Sequence, residues 1–167
     1  MDYFDLHVRF NFENYKESGF SRVGIWGKDL EGFEDNRRSE RLALLESADS
    51  SYIKPRIKRC SLIHNPNYEL DLGVIRAAAK HEKAFEVPVR PLLASSGIER
   101  ASIIKRTRRF LTICNKLGTD YILTSRASNI YETKRPAELI AIGCALGLTY
   151  DQSLRAITEV PKRIMGL

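Results

Sequence analysis

The residues whose type and spacing best suit chemistry are cations on one side of a predicted helix, residues 98–117. Apolar residues in this segment share one helical face, and Lys105, Arg108 and Arg109 fall on the other. Glu99 is its one carboxylate. A solvated face is the ordinary interpretation of such a pattern. Cations without carboxylate partners also suit a phosphate backbone, so both interpretations stay open from the helix alone.

A second set of cations directly follows predicted strands or precedes a predicted helix: Arg90, Arg126, Lys134 and Arg135. In a parallel sheet these positions meet at the carboxyl edge, which is the working face of barrel proteins. Arg126, directly after Thr124-Ser125, is the strongest candidate for a functional cation at this edge. Lys162 either joins this edge or lies opposite it. Arg135 has the equal alternative of pairing with Glu132 or Glu138.

A basic run, Lys54 to Arg59, surrounds Pro55 and follows Tyr52. It could hold phosphate with one base stacked on the tyrosine. We favour the other interpretation, an exposed linker.

Strands and helices alternate along the chain, which indicates βα units and a parallel sheet. The predicted strands are residues 2–8, 20–26, 59–63, 84–89 and 121–124. The predicted helices are a segment beginning near Ser39 with Leu42 and Leu45, then residues 70–83, 98–117 and 136–146, and a last helix from residue 150. We predict one domain over residues 1–167. A complete eight-unit barrel needs about 250 residues, so this chain is too short for one.

The C-terminal helices have the clearest boundaries. Pro136 suits the first helical position, and Gly147 suits the left-handed position after the helix. Thr149 and Gln152 have the spacing of a capping box. Pro161 ends that helix or begins another turn.

Composition is that of a water-soluble protein with a basic balance. The 167 residues carry a net charge of +6, which raises the expectation of a polyanionic partner. No apolar run is long enough for a bilayer, and no signal peptide is apparent. Cys60, Cys114 and Cys144 are widely spaced, so we expect buried, reduced thiols and a cytoplasmic location.

The blocks above resemble the archaeal ribonuclease P protein component 3 family. The resemblance rests on their order and spacing: Asp5–Val8, Ile63–Pro66, Val89–Leu93, Leu123–Ala127, Arg135–Leu139, Gly147–Leu148 and Val160–Ile164. It implies a barrel-like fold related to the PHP phosphoesterases. Because the segment from Ser50 to Cys60 is short, we expect an abbreviated or open TIM-like barrel of five or six strands. Pro88 lacks a donor and predicts an opening or bulge in the sheet.

The resemblance implies a protein subunit of ribonuclease P that binds and stabilises the catalytic RNA for 5′-leader removal from precursor tRNA. The implied partners are that RNA, precursor tRNA, component 2 and the other component proteins, with a second copy of this chain possible and no membrane. Mg²⁺ would be bound by the RNA. We predict no catalytic or metal-binding residue. The predicted RNA contacts are Arg90, Lys105, Arg108, Arg109, Arg126, Lys134, Arg135 and Lys162.

Two other functions stay open. A small metallophosphoesterase of the PHP type would begin with an Asp-x-His-x-His motif. Here Asp5 and His7 match, but Arg9 stands at the last position and cannot ligate a metal while charged. His64 could be a second ligand, although a structural role is the more ordinary interpretation of both histidines. The third possibility is a basic domain that binds another protein through an exposed sheet edge.

Overall fold

A computed structural model describes residues 1–33, 41–69 and 71–167. The described strands are β1 Phe4–Val8, β2 Arg22–Ile25, β3 Leu30–Gly32, β4 Leu42–Glu46, β5 Leu62–His64, β6 Ala84–Pro88 and β7 Tyr121–Thr124. The α-helices are α1 Ser50–Ile53, α2 Leu72–Lys80, α3 Arg90–Ala94, α4 Gly97–Leu117, α5 Pro136–Ala145, α6 Tyr150–Arg155 and α7 Glu159–Ile164. The 3-10 helices are Tyr15–Ser18, Lys54–Arg59 and Ile130–Glu132.

All the described strand pairs are parallel. Strands β1 and β2 form one sheet, and strands β3 to β7 form a second sheet in sequence order. The register of β1 on β2 shifts between Asp5 and Val8, which marks an irregularity in this pair. Strands β4 to β7 are parallel neighbours joined through helices, which is the arrangement that the alternating sequence pattern predicts.

The two sheets continue into one another as an open ring. At one junction, Trp26 forms an isolated parallel bridge with Leu30, from the end of β2 to β3. At the other, the Arg9 backbone N–H donates to the Ala127 carbonyl at 2.8 Å, just beyond β1 and β7. Within the described ranges no ladder joins β1 to β7, so the ring is not a closed barrel. The expected open TIM-like fold is confirmed.

The strands enclose an apolar layer nearer their amino ends than their carboxyl ends. Its buried members are Phe4, Leu6, Leu30, Leu44, Leu62, Ala84 and Ile122, with Val160 of α7 packed against them. Helix α7 lies at the amino ends of the strands, where the Phe4 N–H donates to the Ile157 carbonyl at 2.8 Å. The ring is therefore filled and covered at that end, as small barrels are.

The alternate strand residues face outward into a larger core beneath the helices. On β6 these are Phe85 and Val87, and α4 contributes Phe110, whose ring meets Phe85 edge to face at a centroid distance of 4.9 Å. Because neighbouring strand residues point to opposite sides, each strand is buried on both faces.

The structure confirms the five predicted strands and corrects the segment between them. The expected helix with Leu42 and Leu45 is wrong, because these residues belong to β4; its proposed cap, Ser39, lies outside the described residues. Ala43, Leu44 and Leu45 are consecutive buried residues, typical of a strand covered on both faces. The three-residue spacing of Leu42 and Leu45 resembles that of a helix face. Strand β3 was not predicted.

Three smaller expectations change. The basic run is not an exposed linker, because it forms the 3-10 helix Lys54–Arg59, which continues α1 and is anchored by buried Ile57. Pro88 causes no bulge, because the β6–β7 register continues through it. On its other side β5 pairs with β6 only at Ala84 and Phe85, so no ladder on that side needs a hydrogen bond from Pro88. Cys60 and Cys114 are buried as expected, whereas Cys144 is exposed.

The C-terminal helices agree with their sequence signals. Helix α5 begins at Pro136, and the backbone N–H of Gln152 donates to Thr149 Oγ1 at 3.2 Å. The Thr149 N–H in turn donates to Gln152 Oε1 at 2.9 Å, which completes the capping box. Among the described residues, no helix has both the length and the apolar composition needed to cross a membrane.

Gly24 tests the close approach of β1 and β2. A Cβ at this position would lie 2.5 Å from the Leu6 carbonyl oxygen, which belongs to backbone and cannot turn aside. We expect Gly24→Ala to lower the free energy of unfolding by about 1–3 kcal/mol, measured by urea denaturation. The control Lys28→Ala removes an exposed side chain and should change it by less than about 0.5 kcal/mol. Equal unfolding midpoints for the two variants would contradict this packing.

Candidate functional site

A layer of polar side chains lies above the apolar layer, at the carboxyl ends of the strands. Its members are His7, Glu46, His64, Glu86, Thr124 and Arg126. On β4, β5, β6 and β7 each polar residue follows an apolar-layer residue by two positions, so both point into the ring. We call these six residues the polar cluster.

Glu86 is at the centre of the polar cluster, and its side chain has no exposure to solvent. Its Oε1 accepts from Thr124 Oγ1 at 2.7 Å and lies 2.7 Å from His7 Nδ1. Its Oε2 accepts from Arg126 Nη2 at 2.7 Å. We assign the His7 proton to Nδ1, because a carboxylate at this distance requires a donor.

These contacts decide the ionisation of Glu86. Burial alone disfavours the charged carboxylate, but His7 and Arg126 outweigh burial and lower the pKa of Glu86 below its usual value of 4.5. Glu86 is therefore a buried anion at neutral pH, balanced by a hydrogen-bonded cation.

Arg126 supplies that cation from inside the molecule. Its side chain is 9% exposed, and Nη2 donates to Glu46 Oε2 as well as to Glu86, at 2.7 Å each. Burial disfavours its charge, yet the two carboxylates raise the pKa of Arg126. Its backbone φ of 48° is in the left-handed region, which is uncommon for a residue with a side chain. Arg126 thus lies at the carboxyl edge predicted for it, but two carboxylates hold its charge inside the ring.

The remaining groups close the polar cluster on its sides. The Trp26 ring stacks on His7 with a centroid distance of 5.1 Å and an angle of 13°. His64 Nδ1 lies 3.2 Å from the Glu86 carbonyl oxygen. Burial lowers the pKa of His64, although the nearby Glu86 charge opposes this, so the ring is neutral at physiological pH.

Asp5 joins β1 to the segment after β7. Its Oδ1 accepts from the backbone N–H of Ser125 at 3.1 Å. Burial raises the pKa of Asp5 to about 6, and the hydrogen bonds from Ser125 and His7 only partly offset this effect. The sequence motif around Asp5 and His7 thus forms a structural junction.

The residues present do not fit a metal site. The described residues contain no group of three or more His, Cys, Asp or Glu side chains arranged to hold a metal. Glu46 and Glu86, the carboxylates that face the centre, share the Arg126 guanidinium. A permanently charged guanidinium between them repels any metal cation. The polar cluster therefore has the chemistry of an internal ion pair.

Several predicted loop cations are brought together at the carboxyl edge. Arg90 Nε donates to Glu132 Oε2 at 2.8 Å, which joins the segment after β6 to the segment after β7. Lys134 is half-buried, with Nζ donating to the Thr133 carbonyl at 3.1 Å. Arg135 is exposed, and only its backbone N–H meets Glu138, at 2.7 Å.

Helix α4 presents the predicted cationic face. Lys105, Arg108 and Arg109 are exposed, and in the described part of the chain none of them has a carboxylate within 4 Å. Arg108 has a structural contact as well, since its Nη2 donates to the Ala145 carbonyl at 2.7 Å, at the end of α5. A cation there stabilises the carboxyl end of that helix.

Two other basic regions lie elsewhere. Lys162 is exposed on α7, at the amino ends of the strands, and so lies opposite the carboxyl edge. The Arg56 guanidinium lies over the Tyr52 ring, 3.8 Å from its centroid, on a ring that could otherwise stack a base. The predicted cations are therefore divided among α4, the carboxyl edge and α7.

Sequence reasoning missed Glu46, Glu86 and Thr124 as members of one site. A signal was present: each lies two residues after an apolar residue near the end of a strand. Polar residues at this spacing on neighbouring parallel strands must meet inside the ring. At Glu46 this signal is not evident, because the spacing of Leu42 and Leu45 predicts a helix where the structure has β4.

Parallel strands in an open ring, joined through helices, define a TIM-like α/β protein. Solved structures agree: a chain of archaeal ribonuclease P with mature tRNA has a TM-score of 0.69 at 19% identity, covering 98% of this chain and 79% of that one. A prolidase complexed with N-methylphosphonate-L-proline has a TM-score of 0.60 at 12% identity, covering 90% and 44%. Aspergillus niger ochratoxinase has a TM-score of 0.57 at 16% identity, covering 79% and 32%. At these levels of identity, the similarity shows the fold alone.

The sequence comparisons identify the family of this chain. The family described as RNase P subunit p30 matches residues 60–166, and this chain belongs to it. Ribonuclease P protein component 3 of Methanosarcina barkeri is 30% identical over 112 residues, covering 65% of this chain and 47% of that protein. The Methanothermobacter thermautotrophicus component 3 is 29% identical over 90 residues, covering 54% and 37%. The chain thus spans about half the length of these relatives or less.

Glu86→Gln tests the central ion pair. The substitution keeps the shape but removes the charge that balances Arg126, so we expect the free energy of unfolding to fall by about 3–5 kcal/mol at pH 7. The depressed Glu86 pKa stabilises the fold above pH 4.5, and this contribution is lost as the pH falls below that value. In urea denaturation between pH 7 and pH 3, the free energy of unfolding should fall less with decreasing pH in the variant than in the wild type.

Glu132→Gln is the matched control, because the Glu132–Arg90 pair is partly exposed. We expect it to cost less than about 1 kcal/mol. A similar loss in both variants would contradict a central role for Glu86.

Proposed function

We propose that this chain is a protein subunit of ribonuclease P that binds and stabilises the catalytic RNA during removal of the 5′ leader from precursor tRNA. The observation that carries the proposal is the exposed cationic face of α4 in a member of the p30 family. Two findings support it: the similarity to a protein described as ribonuclease P protein component 3, and the similarity to a chain of archaeal ribonuclease P with mature tRNA.

The cations on α4 suit a phosphate backbone for an electrostatic reason. Lys105 and Arg109 are exposed without a described carboxylate partner, so their charge is available to neutralise phosphates. Each neutralised phosphate releases counterions, which makes binding depend on salt. Arg135 and Lys134 extend this charge to the carboxyl edge. Arg90, Arg108 and Lys162 complete the proposed contacts.

Arg126 has another role in this proposal. Its charge is balanced by Glu46 and Glu86, so it contributes to the fold and leaves little charge for RNA. The polar cluster occupies the place where a TIM-like enzyme would hold its catalytic groups. An internal ion pair there supports a protein that supplies no catalytic acid, base or metal. The Mg²⁺ required for cleavage would then be bound by the RNA.

The proposed partners are ribonuclease P RNA, precursor tRNA, the component 2 protein and the other component proteins. A second copy of this chain within the complex, a single domain over residues 1–167 and a cytoplasmic location belong to the same proposal. The family membership supports these partners.

Reconstitution tests the proposal. The chain is added to a methanogen ribonuclease P RNA with component 2, and precursor-tRNA cleavage is followed at low Mg²⁺. We expect the cleavage rate to rise on addition of the chain, because its cations reduce the repulsion between RNA phosphates. An unchanged rate would overturn the proposal.

Arg109→Ala identifies the contact face. We expect weaker RNA binding and a slope of log affinity against log salt that is smaller by about 1, measured by filter binding at several KCl concentrations. Arg155→Ala removes the same charge, but the Arg155 guanidinium is bound to Asp120 at 2.8 Å, so its slope should match the wild type. Equal slopes in both variants would mean that net charge, and not the α4 face, governs binding.

A further inference from the structure

The short segment after β7 holds a large aromatic side chain in solvent. Tyr131 is 91% exposed and the adjacent Ile130 is 49% exposed, both in the 3-10 helix Ile130–Glu132. Tyrosine normally covers part of its ring against the protein, because the ring is apolar. A nearly fully exposed ring beside an exposed isoleucine is an apolar surface open to a partner.

The segment is rigidly built by its own polar groups. Asn129 Oδ1 accepts from the backbone N–H of Tyr131 at 3.0 Å and of Glu132 at 3.2 Å. Thr133 Oγ1 donates to the Ile130 carbonyl at 2.6 Å. Glu132 accepts from the Ser128 N–H at 2.9 Å, which closes the turn. These bonds fix the backbone, so exposure of Tyr131 is a property of the folded segment.

The segment is also tied to its neighbour. Arg90 Nε donates to Glu132 Oε2 at 2.8 Å, which anchors the segment to the start of α3. This contact and the Ser128 N–H lower the pKa of Glu132 and satisfy its charge. The backbone that carries the tyrosine is thus held in place before any ligand arrives, which reduces the ordering cost of binding.

The charge around Tyr131 indicates the kind of ligand. Lys134 and Arg135 follow within four residues, and neither has a carboxylate within 4 Å among the residues that the structure describes. The nearby acidic side chains are occupied, since Glu132 binds Arg90 and Glu138 accepts from the Arg135 N–H. An exposed flat ring beside available cations matches an unpaired base and its phosphate.

We propose that Tyr131 is a stacking platform for an unpaired RNA base, with Lys134 and Arg135 binding the adjoining phosphates. This inference rests on the proposed RNA-binding function and adds a site that recognises single-stranded RNA. Bases in loops and bulges stack on aromatic side chains, whereas bases within a duplex are not available to do so. The α4 face would bind phosphates of any RNA, and Tyr131 would favour an unpaired nucleotide.

Tyr131→Ala tests the stacking. With a methanogen ribonuclease P RNA transcript, we expect about 5- to 150-fold weaker binding, the range for loss of one stacked base. The salt slope should stay at the wild-type value, because the substitution removes no charge. Tyr131→Phe keeps the ring and should restore binding. Arg135→Ala should instead reduce the slope by about 1.

Two controls distinguish this site from general RNA binding. Tyr150→Ala removes another exposed tyrosine, 59% exposed at the start of α6 and next to Asp151, and should leave affinity unchanged. A fully paired RNA duplex of similar length should bind the wild type and Tyr131→Ala equally. Circular dichroism and thermal unfolding check that each variant folds.

The outcomes separate the two proposals. Wild-type RNA binding with no effect of Tyr131→Ala would overturn the stacking platform and leave the RNA-binding function standing. An equal loss on duplex RNA, or a loss confined to binding of component 2, would also overturn it. Absence of salt-dependent RNA binding by the wild type would overturn the proposed function itself.

Discussion

The Glu86 carboxylate is the constraint on which the rest of the structure depends. An unexposed charge is tolerated only when it is paired and fully hydrogen-bonded. Its partners come from three separate places: His7 on β1, Thr124 on β7 and Arg126 after β7. Satisfying this one group therefore fixes where the two sheets meet. Replacing all of these groups by apolar residues of similar size would remove the constraint, whereas removing one leaves the others unpaired.

The same strands carry an apolar layer and, two residues further on, a polar layer. Leu62 and Ala84 belong to the first, while His64 and Glu86 belong to the second. Such a division places an ion pair at the strand ends of a TIM-like fold. In that place Arg126 neutralises the inward carboxylates, while Lys105 and Arg109 lie on the outer surface.

The sequence predicts best those features that depend on neighbouring residues. Pro136 and the Thr149–Gln152 pair act within a few residues, so their chemistry can be seen along the chain. The site could not be predicted in the same way, because its partners are distant in sequence. Arg126 follows a strand, as cations at a barrel edge do, but its environment depends on Glu46 in β4. That strand was mistaken for a helix, because apolar residues buried on both faces of a strand show no alternation.

The contact of Asp5 with Ser125 spans 120 residues, and that of His7 with Glu86 spans 79. On the ribosome, Asp5 and His7 are made long before Ser125 and Glu86, and Glu86 is made before the Arg126 guanidinium that balances it. Long-range pairing of this kind slows folding. The contacts that join the two sheets are thus complete only after Arg126 is made, and until then the apolar strand faces stay exposed to aggregation.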